Sequence, residues 1–246
     1  MLDVVITHEM LINTICLIWF AICWVGYTYY AKSRANKTAC LASELHNYRE
    51  LWMKRVMLRE VRVGDASLVA NLERNVSFLA STSILILAGL LTLFTVTDKI
   101  TSLVGQIPMS FNTGYESAQL KILLLVTIFV YAFFTFTWSM RQYGFCSIVL
   151  GGAPMPDEEA VTDKEREDYA YYAARVIDLA GKSYNHGLRA YYFALSVLAW
   201  FINPYLFILA CGFVTGVLYR REFKSRSLNA LMHIEFKESK SPSALV

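Results

Sequence analysis

Charge is scarce in this 246-residue sequence, and its absences are concentrated. Lys, Arg, Asp and Glu make up 17% of the residues and 56% are hydrophobic, whereas a soluble domain carries about 25% charged residues. Residues 11–30, 76–97, 122–140 and 190–219 contain no charged side chain at all. A helix crossing the hydrocarbon of a bilayer needs about 20 apolar residues. Each stretch is long enough to span, so a soluble domain is excluded. The span cores also lack histidine. Proton- and ion-coupled transporters place ionisable groups at membrane depth, so that class is disfavoured, while a passive path lined by Thr and Ser stays open.

Other absences narrow the chemistry. The first apolar stretch has no basic segment before it and no small-x-small site after it, so it reads as a permanent anchor and not as a cleavable signal peptide. The five cysteines form no CxxC and no Cys/His ligand spacing, and behave as small apolar residues in or beside helices. No Walker loop, dinucleotide fingerprint, HExxH or G-x-S-x-G elbow is present, so no catalytic residue and no cofactor is expected. His8, His46, His186 and His233 are scattered, and no metal site is expected from them. The basic residues hug the membrane instead of forming a separate domain, which argues against nucleic acid.

What is present gives a topology. Lys and Arg accumulate in short cytoplasmic loops. Residues 1–10 have none, residues 32–74 have nine, residues 98–121 have two and residues 141–189 have six. The N-terminus is therefore expected outside, with the first and third connections inside. The outer connection, with Gly105, Pro108 and Asn112-Thr113-Gly114, reads as irregular. Arg220, Arg221, Lys224 and Arg226 then break the pattern, because four simple spans would end outside. Residues 190–219 make roughly 45 Å of continuous helix, more than one crossing and less than two, with Asn203-Pro204 in the middle. Two readings follow: one kinked, tilted span with its basic tail outside, or a re-entrant hairpin that returns the tail to the cytoplasm. The first is preferred, since later charges often override the rule.

Two amphipathic segments fill the cytoplasmic connections, at about 49–75 and 163–181. In the first, Met53, Val56, Met57 and Val61 share a face opposite Arg55, Arg59 and Arg62, the pattern of a helix lying on an anionic membrane surface. Gly64-Asp65 reads as a stop and a fresh N-cap. The second opens with the capping box Thr162-Asp163-Lys164-Glu165, carries an apolar stripe from Tyr169 to Ala180, and has Gly181 as its C-terminal cap. Its seven acidic residues between positions 157 and 168 suit a solvated helix start or a contact with the basic face of the first segment.

One constellation stands out as a candidate site. Arg74 enters the second span, Arg141 leaves the third and Arg189 enters the fourth, all at the same expected depth. Asn75, Tyr143 and Tyr192 accompany them. Guanidinium groups bind phosphate or carboxylate through paired hydrogen bonds, so the set suits an anionic lipid headgroup or a soluble anion. The alternative is that each arginine snorkels independently to the interface. Gly212 and Gly216 form a GxxxG, a mark of close helix packing within or between chains.

With these residues in view, four blocks resemble a family of membrane proteins known from bacteria and plants and catalogued as domain of unknown function 599. They are Arg49-Glu-Leu-Trp52-Met, Glu73-Arg-Asn-Val-Ser-Phe-Leu-Ala-Ser-Thr-Ser83, Ser139-Met-Arg-Gln-Tyr143 and Gly187-Leu-Arg-Ala-Tyr-Tyr-Phe193. The resemblance runs from about residue 49 to 219. It implies a multi-span helical protein and carries no established activity. The expectation is thus an all-α polytopic integral membrane protein, a single membrane domain with four transmembrane helices plus amphipathic cytoplasmic helices, in the bacterial cytoplasmic (inner) membrane. The expected role is a non-enzymatic scaffold or accessory protein, homo-oligomeric, binding membrane lipids and open to a membrane protein partner. A channel or facilitator is the alternative. A membrane-interface enzyme using Asp65 or His186 is weaker still.

Overall fold

Helices account for all the regular structure in the computed structural model, which describes residues 2–35, 38–106 and 114–234. In chain order they are α1 Leu2–Ala21, a π-helical turn Ile22–Gly26, α2 Tyr27–Ala35, α3 Leu41–Met57, α4 Val63–Thr95, α5 Thr97–Gly105, α6 Tyr115–Gly151, α7 Asp163–Ile202, α8 Pro204–Phe223 and α9 Arg226–Met232. Three stretches are long and apolar enough to cross a membrane: Glu9–Ala35, Val63–Thr95 and Tyr115–Gly151.

The fourth expected span is not one helix. The peptide before a proline disfavours the helical region, and proline itself suits the first turn of a new helix. Asn203 accordingly turns extended at φ −157° and ψ 133°, and its side chain accepts from the Tyr205 N–H to cap α8. The chain then reverses. The Trp200 ring stacks on Phe207 at 4.7 Å, Ser196 Oγ lies 3.3 Å from Cys211 Sγ, and Arg221 donates to the Tyr192 hydroxyl. These pairings run in opposite directions along the two helices, so residues 190–219 form an antiparallel hairpin. The single kinked span is corrected. Its length argument counted only apolar residues, whereas α7 borrows polar residues on its N-terminal side because neighbouring helices cover them.

The long helices alternate in direction. Arg62, at the start of α4, donates to the Ala153 and Pro154 carbonyls just past the end of α6. Along α6 and α7 the Tyr169 hydroxyl donates to the Val149 carbonyl, the Ser139 hydroxyl to the Ala180 carbonyl, Phe129 packs on Tyr191 and Lys121 lies over Trp200, pairings that run in opposite directions. The Ser183 hydroxyl of α7 donates to Gln142 Oε1 of α6. Helix α7 lies against α3, α6 and α8, and Phe193, Val197 and Trp200 on it are buried. On the outside, Phe78, Leu85, Phe134, Leu195, Leu209 and Phe213 are exposed, an apolar surface of the kind a lipid solvent covers.

Four further expectations change. The apolar stripe of α3 does not lie on a membrane: Met53, Val56 and Met57 are buried inside the protein, and only Val61, beyond the helix, is exposed. Gly64-Asp65 is not the break, which falls between Met57 and Val63, with Asp65 in the first turn of α4. Gly181 does not end a cytoplasmic helix, because α7 runs unbroken from Asp163 to Ile202. The outer connection contains the helix α5, while Pro108 and Asn112-Thr113 fall outside the described residues. The capping box is as expected: Thr162 accepts from the Glu165 N–H, and the Glu165 carboxylate accepts from the Thr162 N–H and hydroxyl. These bonds hold the Glu165 carboxyl below its ordinary pKa.

Glycines in α7 mark close approaches. A Cβ on Gly187 would stand 2.5 Å from Phe136 Cε1, and the Phe136 ring is fully buried with nowhere to retreat. Gly187→Ala is expected to lower stability by about 1–3 kcal/mol through overpacking. Gly144→Ala in α6, where a Cβ meets nothing within 4 Å, should be neutral or stabilising by up to about 1 kcal/mol. Thermal unfolding of both variants in detergent checks the contrast.

Candidate functional site

At the end of the bundle where α2 finishes, α2, α3, α7 and α8 enclose a cavity of about 120 Å³. Arg189 and Tyr192 come from α7, and Asn185 stands one turn earlier on the same helix. The hairpin brings Arg221 and Glu222 alongside, and Leu41, Leu45, Leu188 and Leu218 supply an apolar wall. The guanidinium of Arg189 lies over the Tyr27 ring at 5.5 Å, and that of Arg221 over the Tyr192 ring at 5.4 Å. Each cation is thus held by an aromatic face, and the Arg221 guanidinium also donates to the Tyr192 hydroxyl. The Glu222 carboxylate accepts from the Ala42 N–H in the first turn of α3, 3.1 Å away. It thereby occupies an anion-favouring helix start.

Aromatic residues and cations gather around this end. Tyr30 packs against Tyr219 and Phe223, Arg34 donates to the Tyr30 hydroxyl at 2.8 Å, and Lys224 lies over Tyr219. At the opposite end Lys121 is buried against Trp200 and Phe201, and Asn13 donates to Ser117 at 2.9 Å. From Asn13 to Tyr30 is roughly 26 Å of helix, close to the thickness of a hydrocarbon core.

The expected site is only partly gathered. Arg189 and Tyr192 share the cavity. Arg74 and Asn75 are exposed on α4, Arg141 is exposed on α6 over the Phe145 ring, and Tyr143 is buried in the interior. None of these four lines the cavity. Arg221, Glu222 and the start of α3 were missed because the tail was assigned to the other side. The usable signal was the tail's violation of the charge rule. Gly212 and Gly216 are exposed, and a Cβ on either would meet nothing within 4 Å. They line an open groove of about 550 Å³ with Ile22, Cys23 and Gly26, and Tyr27 borders both this groove and the cavity.

Beside the cavity lies a buried ion cluster that sequence reading also missed. Asp178 of α7 is 4% exposed and takes Arg49 at 2.6 Å and Lys182 at 2.7 Å. His46 places Nδ1 3.5 Å from Asp178 and Nε2 3.1 Å from Glu50. A Cβ on Gly181 would stand 2.8 Å from Arg49 Nη2, so glycine there lets the guanidinium lie flat on α7. Asp65 is 2% exposed, and one of its oxygens accepts from the Trp52 indole at 2.7 Å and from Arg59 at 2.5 Å. Asp65 is thus shielded by two donors, and His186 is on the exposed side of α7.

The family model described as protein of unknown function, DUF599, matches residues 15–227. No curated protein and no solved structure matches the chain.

The Asp178 cluster clamps α3 to α7 and so holds the cavity's α3 wall in place. Asp178→Asn is expected to cost about 2 kcal/mol. This is below the ~3–5 kcal/mol of a fully buried broken pair, because the Arg49 side chain remains 20% exposed. A lowered unfolding temperature in detergent, with the helical circular dichroism unchanged before the transition, checks it.

Proposed function

The chain belongs to the DUF599 family, and from that premise we propose that it is a non-enzymatic membrane protein that binds an anionic lipid in the Arg189–Arg221 cavity at its cytoplasmic end. The observation that carries this reading is the composition of the cavity: two guanidiniums, the Asn185 amide and Tyr192 together with four leucines, beside the single carboxylate of Glu222. A phosphate ester with an attached apolar chain has that same combination. Two arginines suit its oxygens through paired, charge-assisted hydrogen bonds. The open groove beyond Tyr27 has room for an acyl chain, with Gly26, Gly212 and Gly216 allowing close approach to the backbone.

The hairpin supports the cytoplasmic assignment. If α8 is a fifth crossing, Arg220, Arg221, Lys224 and Arg226 share a side with the nine cations of residues 32–74, and the charge rule is obeyed throughout. The N-terminus is then outside. The tyrosines at 30 and 219 beside Arg34 and Lys224 suit the headgroup level. Arg74 and Arg141 stand on exposed faces as secondary contacts to the same leaflet. The Glu222 carboxylate, already satisfied by the start of α3, sets a limit on how many anionic charges the cavity accepts.

The test uses the full chain in nanodiscs of phosphatidylglycerol or phosphatidylcholine, with retained lipid counted by native mass spectrometry. The wild type is expected to retain phosphatidylglycerol in preference. Each of Arg189→Ala and Arg221→Ala should weaken retention about tenfold, on ~1.5 kcal/mol for a charged hydrogen bond. Arg74→Ala and Arg141→Ala should have smaller effects. Equal retention of both lipids, or retention unchanged in the Arg189→Ala/Arg221→Ala variant, contradicts the reading.

A further inference from the structure

The turn between α3 and α4 exposes three large apolar side chains: Leu58 at 77%, Val61 at 74% and Val63 at 74%. Ile148 in the last turn of α6 and Met155 just beyond it are exposed as well, and Met155 shares a groove with Val63. This open groove of about 390 Å³ is lined by Val63, Ala66, Ser147, Leu150 and Met155. The groove is held in shape by Arg62, whose guanidinium ties the α3–α4 turn to the Ala153 and Pro154 carbonyls at 2.6 and 2.5 Å.

Lipid does not explain the exposure of the turn. The charge-free part of α4 begins at residue 76, and Val63 lies thirteen residues before it, roughly 20 Å further along the axis. On the reading that charge-free stretches occupy the bilayer, the turn stands in the aqueous layer. An apolar patch in water that is rimmed by polar residues marks a protein contact.

The charges around the patch say which protein. Residues 54–62 carry Lys54, Arg55, Arg59 and Arg62 against Glu60; Arg59 is paired with the buried Asp65, and Lys54 is exposed. Residues 157–168 carry seven carboxylates against Lys164 and Arg166. The Arg166 guanidinium donates to the Met155 and Glu158 carbonyls. The Glu158 and Glu165 carboxylates accept from Met155 and Thr162, and Asp157, Glu159, Asp163, Glu167 and Asp168 are exposed. The basic residues precede Val63 on one wall of the groove and the acidic ones follow Met155 on the other, an order that suits a two-fold contact because the rotation sets each flank against its opposite. We propose that a second copy of this chain docks on the α3–α4 turn and the end of α6, forming an isologous dimer outside the membrane.

This proposal rests on the membrane placement but not on lipid binding, and the two fail separately. The full chain is measured in detergent by native mass spectrometry over a dilution series. The wild type is expected to dimerise, and Val61→Glu/Val63→Glu to weaken the dimer at least tenfold. Its unfolding temperature and retained phosphatidylglycerol should be unchanged, since both side chains are largely exposed. Lys54→Glu or Glu159→Lys alone should weaken the dimer, and the two reversals together should restore part of the loss. Arg189→Ala/Arg221→Ala should lose lipid and stay dimeric. A wild type that is monomeric at every concentration, a dimer insensitive to Val61→Glu/Val63→Glu, or a different protein held stoichiometrically by these residues overturns the proposal.

Discussion

The chain reversal at Asn203-Pro204 is the constraint on which the rest of the structure depends. Proline has no N–H and clashes with the preceding turn, so it cannot sit inside a straight helix without cost. Here it begins one, and the asparagine before it supplies the cap. Because α8 folds back on α7, its basic end returns to the level of Arg189. Without that return Arg221 and Glu222 would be at the opposite end, the cavity would lack two of its polar groups, and the charge distribution would contradict any simple insertion.

Helix α7 shows why a helix with a charged N-terminal half can run at the centre of such a molecule. Backbone and side-chain polar groups at membrane depth must be satisfied internally, and α7 is covered by α3, α6 and α8. Ser139 and Ser183 satisfy donors and acceptors across the α6–α7 contact. Tyr191 bonds Ser83 and the Leu79 carbonyl of α4. Asp178 is tolerable in its buried position because cations from both α3 and α7 meet it. Among the described residues, those exposed on α1, on α4 beyond Asn75, in the middle of α6 and on the outer side of the hairpin are largely apolar.

Much of this was legible in the residues. Charge-free stretches located the apolar helices, and the Thr162 capping box located the start of α7. Arg189 and Tyr192 were found because a cation beside tyrosines at the end of an apolar run is a local pattern. What was not legible depends on partners distant in sequence. The stripe of Met53, Val56 and Met57 is the same whether a membrane or α7 covers it. Gly181 looks like a helix end until Arg49, over a hundred residues earlier, is seen lying across it. Arg221 carries no local sign of meeting Tyr192, and only the direction of α8 decides it.

That direction can be measured directly. Ser196 Oγ lies 3.3 Å from Cys211 Sγ, whereas in a single continuous helix these residues would be separated by about 22 Å. Introducing Ser196→Cys in a chain whose other cysteines are replaced by serine, oxidising it in the membrane, and mapping the cross-link by mass spectrometry decides between them. The hairpin predicts a high yield of the intrachain 196–211 disulfide. A chain that stays reduced under conditions where an exposed control pair oxidises would contradict the hairpin, and with it the cavity that the hairpin assembles.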